Sequence, residues 1–223
     1  MRKPRKIASP CAVLAIEGSD PLEGDLSRVK FFYDLGVRVL QLVHYRINEL
    51  GDIMTEAPRH KGLTTFGQDV VKEMNKLGML IDVAHASPDT VNGVLAASQH
   101  PVICSHTGAY ALRTNSRHLE DKDMTAIGKK GGVIGIWPML RRRDTFQTYI
   151  RELDYVKNLV GADHVGIGTD LFGIASETAI PTHKEFALIP AALLSGGYRE
   201  SDVEKIVGGN FMRVFREVVR RTG

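Results

Sequence analysis

The sequence has few cysteines, few aromatic residues and no long apolar segment, and each shortage excludes a class of protein. Only 2 of its 223 residues are cysteine, and 7% are aromatic. Cys11 and Cys104 each lie inside an apolar run, so we expect buried thiols in a reducing compartment rather than a disulfide. No apolar run approaches the roughly 20 residues that cross a bilayer, and the basic N-terminus lacks the hydrophobic core of a signal peptide. The sequence therefore predicts a soluble, cytoplasmic protein with no membrane partner.

Several common catalytic and nucleotide-binding motifs are also missing. The chain contains no GxSxG elbow, no HExxH helix, no CxxC pair and no complete Walker or dinucleotide-binding glycine signature. Its net charge of +3 comes mainly from basic residues near the two ends and at 141–143, which are scattered rather than gathered on one face. We therefore expect no nucleic-acid partner.

What the sequence does contain is the pattern of one α/β domain. Its length and its 43% content of apolar residues suffice for one sizeable core and are too small for two comfortable domains, so we expect a single domain over residues 1–223. Six apolar runs of strand length recur along the chain, at residues 11–16, 37–43, 79–84, 101–105, 131–137 and 164–169. The first run is continuously apolar, which is typical of a strand buried on both faces.

Segments with helical periodicity separate these runs. Their spacing and caps predict helices near residues 25–35, 64–77, 87–98, 119–130 and 144–160, followed by a helical C-terminal part at 182–195, 201–207 and 210–221. Strands that alternate with helices form parallel sheets. The segments at 45–62 and 107–118 have no clear period and are predicted to be long functional loops.

Residues with metal-binding or acid–base side chains follow most of these strand-like runs. In chain order, the runs end at Glu17, His44, His85, His106, Trp137 and Asp170. Any one of these residues alone would more often cap a helix or brace a loop than take part in a site. Because the carboxyl ends of parallel strands meet at one face of an α/β protein, their shared position indicates a functional site.

The residue types favour metal-assisted hydrolysis. A carboxylate and two imidazoles are a ligand set that holds zinc while leaving a position open for water, which makes Glu17, His85 and His106 candidate ligands. Asp170 could take up and return a proton, and His44 could polarise the scissile carbonyl or stabilise its oxyanion.

The loop after the fourth run contains two arginines, Arg113 and Arg117. Arg117 could hold a substrate carboxylate through paired hydrogen bonds. A solvated surface position is the equal alternative for this residue.

Six stretches spread over nearly the whole chain resemble one known family. They read AIEGSDPLEGDLSRVKFFYDLGVRVLQLVH, GLTTFGQDVVKEMNKLGMLIDVAHAS, PVICSHTGAYALRTNSRHL, GGVIGIW, DYVKNLVGADHVGIGTDLFG and VEKIVGGNFMRVFREV. Together they closely resemble the renal (membrane) dipeptidase family of zinc peptidases. The resemblance implies a TIM-like (β/α) barrel, a two-zinc site and the hydrolysis of dipeptides, often with a D-residue on the C-terminal side.

The same resemblance implies a role for each candidate site residue. Glu17 matches the carboxylate that bridges the two metals, and His85 and His106 match ligands of the second metal. The remaining roles are substrate contact for His44, carboxylate binding for Arg117 and proton transfer for Asp170.

The chain also departs from the family pattern. Family members begin with a strand that ends in a His-x-Asp pair, which supplies the other two ligands of the first metal, and this chain has no such motif. Its first run resembles roughly the third strand of the barrel, so the six runs predict an incomplete barrel and leave a second zinc doubtful. Asp20 stands where many relatives have histidine, and LFG replaces the usual FDG after Asp170.

An incomplete barrel would expose two sheet edges and an apolar interior. We therefore expect a homo-oligomer that covers the opening.

Three functional hypotheses follow. The first is a zinc-dependent dipeptidase that acts on a small dipeptide substrate. The second is a non-catalytic dipeptidase-like scaffold or binding protein, which the missing His-x-Asp pair favours. The third is an amidohydrolase that acts on N-acyl amino acids or lactones.

Overall fold

A parallel sheet of six strands forms the centre of the molecule. The computed structural model describes residues 12–141, 144–174 and 177–219. The strands are β1 (Leu14–Ile16), β2 (Val37–Gln41), β3 (Leu80–Asp82), β4 (Ile103–Thr107), β5 (Val133–Ile136) and β6 (Val165–Ile167). They pair in the order β1-β2-β3-β4-β5-β6, and every pair is parallel. The six predicted strands and their parallel arrangement are confirmed.

Helices connect successive strands, and further helices follow the last strand. They are α1 (Ser27–Asp34), α2 (Thr65–Leu77), α3 (Pro88–Ala97), α4 (Asp121–Lys129), α5 (Phe146–Val160), α6 (Leu188–Ser195), α7 (Glu200–Glu204) and α8 (Asn210–Val219). Local chemistry sets several of their ends. Thr64 accepts a hydrogen bond from the Gly67 amide at the start of α2, and Gly78, in the left-handed region at φ 72°, ends that helix.

The C-terminal helices differ from the predicted ones at their boundaries. The predicted helix over 182–195 begins as a 3₁₀ segment, His183–Ala187, and becomes α-helical only at Leu188. Pro190 has no amide hydrogen to donate to the previous turn, so an α-helix cannot run unbroken through this point. A π-helical turn at Lys205–Gly209 joins α7 to α8, with Gly208 at φ 157°. The end of the last predicted helix, Arg221, lies outside the described residues.

Helix α8 packs against the inner face of the sheet. Its Val214 and Val218 are buried in a cluster with one residue from each of four strands, namely Val39, Leu80, Ile103 and Val133. The next residue along each of these strands, such as Leu40 or Cys104, belongs instead to the core beneath the surrounding helices. This alternation is that of barrel strands, which present one face to the barrel interior and the other to the outer helices.

Strand β1 corrects one prediction from the sequence. The run that contains it was expected to be buried on both faces, yet Leu14 is 56% exposed and Ala15 is exposed. The reason is that β1 and β6 are the two ends of the sheet, and within the described ranges no further strand pairs with either. The sheet is therefore an incomplete barrel, as predicted.

The prediction of buried thiols can be compared with the structure for one of the two cysteines. Cys104 is a free, buried thiol within β4, as expected. Cys11 lies outside the described residues.

Candidate metal centre and active site

One carboxylate and two imidazoles meet at the carboxyl ends of β1, β3 and β4. The Nε2 atoms of His85 and His106 lie 3.0 Å apart. Glu17 Oε1 lies 3.3 Å from the Nε2 of His85 and 3.7 Å from that of His106. The ligand atoms of these three residues all lie within 4.8 Å of one another. The structure thus brings together the three residues that the sequence nominated as metal ligands.

The protonation states of this group suit a cation. The hydrogen bond with His85, aided by the neighbouring imidazoles, lowers the pKa of Glu17 to about 2 against the effect of its burial. Burial lowers the pKa of His85, and burial together with His85 and Arg117 lowers that of His106 to about 3. The site therefore combines an ionised carboxylate with two neutral imidazoles whose Nε2 atoms converge. Because this is the donor set of zinc sites, the residues fit a divalent metal ion.

Strained backbone holds His85 in place. His85 has φ 67°, in the left-handed region that non-glycine residues seldom adopt. Its carbonyl accepts a hydrogen bond from the Met54 amide, and Ile53 forms an isolated bridge with Ala86. The predicted loop at 45–62 therefore folds over the strand end and fixes this unusual conformation.

Two polar residues behind His106 were not predicted as part of the site. The Ser105 hydroxyl lies 2.9 Å from His106 Nδ1, and Asp82 accepts the backbone amides of Ala84 and Ser105 at 2.9 Å each. Burial raises the pKa of Asp82 to about 6. A partner on the second ring nitrogen orients a metal-binding histidine. The available signal was an aspartate inside a buried strand, where an acid needs several hydrogen bonds.

His44 lies beside the three candidate ligands. Its Nε2 is 3.4 Å from Glu17 Oε1, and its ring centroid is 4.5 Å from that of His85. The ring of Tyr45 stacks on His44 at 3.7 Å and is 74% exposed, so it forms an open aromatic surface at the mouth of the site. Sequence reasoning did not identify Tyr45.

Arg117 points into the site rather than into solvent. Its guanidinium lies 3.2 Å from His106 Nε2 and 5.6 Å from the centroid of the Trp137 ring. Another of its nitrogens contacts Met54 Sδ at 2.9 Å. Burial lowers the pKa of this arginine. The surface position left open by the sequence is therefore wrong, and a fixed cation borders the candidate ligands.

Asp170 approaches the candidate ligands from the β6 end of the sheet, opposite the β1 end that carries Glu17. It follows β6 with φ 46°, and its backbone carbonyl accepts the amide of Gly173, which closes a turn. Burial raises the pKa of Asp170, and the negative charge of Glu17 raises it further. Within the described residues Asp170 makes no hydrogen bond to Glu17, His85 or His106, although it lines the same cavity as Glu17 and His106.

A cavity of about 420 Å³ opens beside two of the candidate ligands. Glu17, His106 and Asp170 line it, together with Asp82 and, from α8, Phe211. Its size suits a small ligand. Within the described part of the chain, the buried Nε1 of Trp137 has no hydrogen-bond partner.

Known proteins resemble this chain along almost its whole length. The family described as "Membrane dipeptidase (Peptidase family M19)" matches residues 2–222. The curated protein "Dipeptidase tcpJ" of Claviceps purpurea is 36% identical over 217 residues, which is 93% of this chain and 51% of that protein. "Dipeptidase 3" of Mus musculus is 30% identical over 92% of this chain and 44% of its own length.

A solved structure matches the fold as well. A metallo peptidase from Rhodobacter sphaeroides, liganded with a phosphinate mimic of the dipeptide L-Ala-D-Ala, superposes with a TM-score of 0.85 and 26% identity. The match covers 92% of this chain and 63% of that one.

The extent of these matches is asymmetric. The chain spans about half the length of the curated relatives it matches, while the family match covers nearly all of the chain. The family predicted from the sequence is confirmed: this chain belongs to the membrane dipeptidase family, peptidase family M19.

Proposed function

We propose that this chain hydrolyses dipeptides with zinc held by Glu17, His85 and His106. One observation carries the proposal, namely the convergence of an ionised carboxylate and two neutral imidazoles within 4.8 Å of one another. These residues supply ligands for one ion. When bound, the ion acts as a Lewis acid on the substrate carbonyl and activates water.

Two residues would bind and orient the substrate. The guanidinium of Arg117, fixed 3.2 Å from His106, would receive the carboxylate of the dipeptide through charge-assisted hydrogen bonds. His44, whose Nε2 lies 3.4 Å from the Glu17 carboxylate, would donate a hydrogen bond to the scissile carbonyl oxygen.

Asp170 would move the proton. Burial and the charge of Glu17 raise the pKa of its carboxyl, which brings the group closer to the pH at which it can both accept and return a proton. It would take the proton from water during attack and give it to the leaving amine.

The names of relatives support the substrate class. Both curated relatives reported above are named dipeptidases, and the Rhodobacter sphaeroides enzyme was solved with a mimic of a dipeptide.

Within the described residues, no helix is both long and apolar enough to cross a membrane. We further propose a single domain, a cytoplasmic location and self-association through the open side of the barrel.

The proposal is tested by metal binding and hydrolysis together. The purified chain is expected to bind zinc in calorimetric titration and to release amino acids from a panel of L,L- and L,D-dipeptides. His106→Ala removes a ligand, so it should lower zinc affinity and hydrolysis at least 100-fold. His60→Ala, which removes an exposed imidazole from a loop, is the matched control. No zinc uptake and no hydrolysis by the parent protein would overturn the proposal.

A non-catalytic dipeptidase-like protein is the second candidate. Among the described residues, the side chains that could hold a metal ion form a single group of three, which favours binding of one ion rather than the two-metal site that the family resemblance implies. This candidate predicts zinc and dipeptide binding without hydrolysis. Adding N-acyl amino acids and lactones to the substrate panel tests the amidohydrolase alternative in the same assay.

A further inference from the structure

The side chains of the two arginines in the loop between β4 and α4 point to different places. Arg117 enters the candidate active site, whereas Arg113, only 11% exposed, enters the space between the loop and α5. The sequence singled out both residues, and the proposed function uses only Arg117. The proposed function therefore gives no role to Arg113, the second buried cation of the loop.

Arg113 is held by two carboxylates and a backbone carbonyl. One of its terminal nitrogens pairs with Glu152 of α5, and the other donates to Asp144 Oδ2 and to the Met139 carbonyl at 2.9 Å each. The side chain of Glu152 is 1% exposed, and its second oxygen accepts the backbone amide of Ala109 at 2.8 Å. A single buried carboxylate thus holds both the start and the middle of the loop.

Further hydrogen bonds hold the backbone of Arg117 and the side chain of the next residue, His118. The Nδ1 of His118 lies 2.9 Å from the Arg113 carbonyl, which can only accept, so Nδ1 is the donor. The hydroxyl of Thr107 donates to the Arg117 carbonyl at 3.2 Å. Gly108 allows the close approach, because a Cβ atom there would lie 2.6 Å from His118 Nε2 and 2.8 Å from Glu152 Oε1.

A buried ion pair of this kind does more for geometry than for stability. The loss of hydration when two charges are buried largely offsets their attraction, so apolar residues of similar size would stabilise the loop as well. The guanidinium has five N–H donors with fixed directions. Its pairing with a carboxylate therefore fixes the loop in one position. Misplacing a substrate-binding group by about 1 Å can lower a rate by as much as 100-fold.

We infer that Arg113 and Glu152 are positioning residues, which hold the β4–α4 loop so that Arg117 faces the substrate carboxylate. The role of Arg117 itself rests on the function proposed above. The position of the loop does not, since the contacts of Arg113 and Glu152 exist whatever the substrate is.

The experiment compares a dipeptide with the same dipeptide carrying a C-terminal amide. Glu152→Gln should raise KM for the free acid about tenfold and change kcat less than about twofold, because a displaced Arg117 loses its contact with the carboxylate. The amide lacks that carboxylate, so its kinetics should stay unchanged. Asp144→Asn removes one weaker contact of Arg113 and should show the same pattern to a smaller extent in a protein that folds.

Two controls separate positioning from general destabilisation. Asp154→Asn makes an acid-to-amide change on the same helix, where the side chain contacts Lys157 and Tyr198 instead of the loop, and it should leave both substrates unaffected. In an Arg117→Met background, adding Glu152→Gln should have no further effect on KM, because both changes remove the same interaction.

Hydrogen exchange distinguishes the failure of this inference from the failure of the proposed function. In the metal-free protein, Glu152→Gln should accelerate amide exchange in residues 108–119 without accelerating it in α2 or α3. A parent protein that hydrolyses no dipeptide contradicts the proposed function and leaves this exchange test intact. Unchanged exchange in the loop, or an equal loss of activity on the acid and the amide, would overturn the positioning role.

Discussion

At the scale of single residues, burial decides which charges the molecule keeps. His118 is buried, its Nδ1 donates to the Arg113 carbonyl, and its Nε2 has no partner in the described part of the chain. Burial and the neighbouring Arg113 lower the pKa of His118 to about 4. Between these two pKa values, 6.5 and about 4, the histidine is therefore mostly neutral in the folded protein and mostly protonated in an unfolded chain.

This residue predicts a pH dependence of stability. The pKa of His118 falls from 6.5 to about 4 on folding, so between these values the unfolded state binds more protons. The free energy of unfolding should fall as the pH drops through this window, by on the order of 3 kcal/mol from His118 alone.

Urea unfolding at several pH values between these limits measures the effect. His118→Asn keeps a donor near Nδ1 and cannot be protonated, so its unfolding free energy should vary less with pH. His183→Asn removes an exposed histidine as the control. Equal pH profiles for the parent and His118→Asn would contradict the prediction.

At the scale of elements, β4, β5 and the segment after β6 lie close together beside the candidate metal site. A Cβ atom on Gly135 of β5 would lie 2.1 Å from the Ser105 carbonyl oxygen, and one on Gly168, just after β6, would lie 2.2 Å from the same atom. Ser105 in turn contacts His106. The two glycines therefore let β5 and β6 pack against the strand that carries a candidate ligand.

Gly135→Ala should push β4 and β5 apart. We expect it to lower the free energy of unfolding by about 3 kcal/mol and to weaken zinc binding, because His106 moves with β4. Guanidinium unfolding and zinc titration measure the two effects. Gly196→Ala is the control, since the nearest backbone oxygen there lies 3.3 Å from an added Cβ. Equal effects of the two changes would refute this account of Gly135.

At the scale of the whole molecule, the open side of the barrel exposes apolar side chains. The end formed by β1 and α1 exposes Leu14, Phe31 and Leu35, of which Leu35 is 61% exposed. At the other end, Val207 of the π-helical turn lies near β6 and is also exposed. Apolar side chains grouped at an unpaired sheet edge are typical of an interface.

We therefore expect the chain to self-associate through the β1 end. Multi-angle light scattering should give a mass greater than that of one chain. Phe31→Glu places a charge in the interface and should shift the protein towards the monomer. Phe172→Glu, at an exposed phenylalanine that lies outside the β1 end, is the matched control. A parent protein that is monodisperse as a monomer would contradict the prediction.

The sequence alone was sufficient for the order of the elements and for most of the site. Periodicity and capping are local properties, so they predicted six strands, the helices between them, and the polar residues at the strand ends. Parallel strands bring their carboxyl ends to one face, which is why Glu17, His85 and His106 could be grouped before their distances were known. The family resemblance carried the same residues into specific roles.

Only the tertiary structure decided how side chains within loops are directed. Arg113 and Arg117 lie on the same loop, and nothing local distinguishes them, because Arg113 turns inward to meet Glu152, a residue 39 positions away. The exposure of β1 was likewise invisible to its apolar sequence, since burial depends on which strands are present beside it. Local chemistry therefore determined which residues could form the site, and contacts between distant elements determined which arginine enters it.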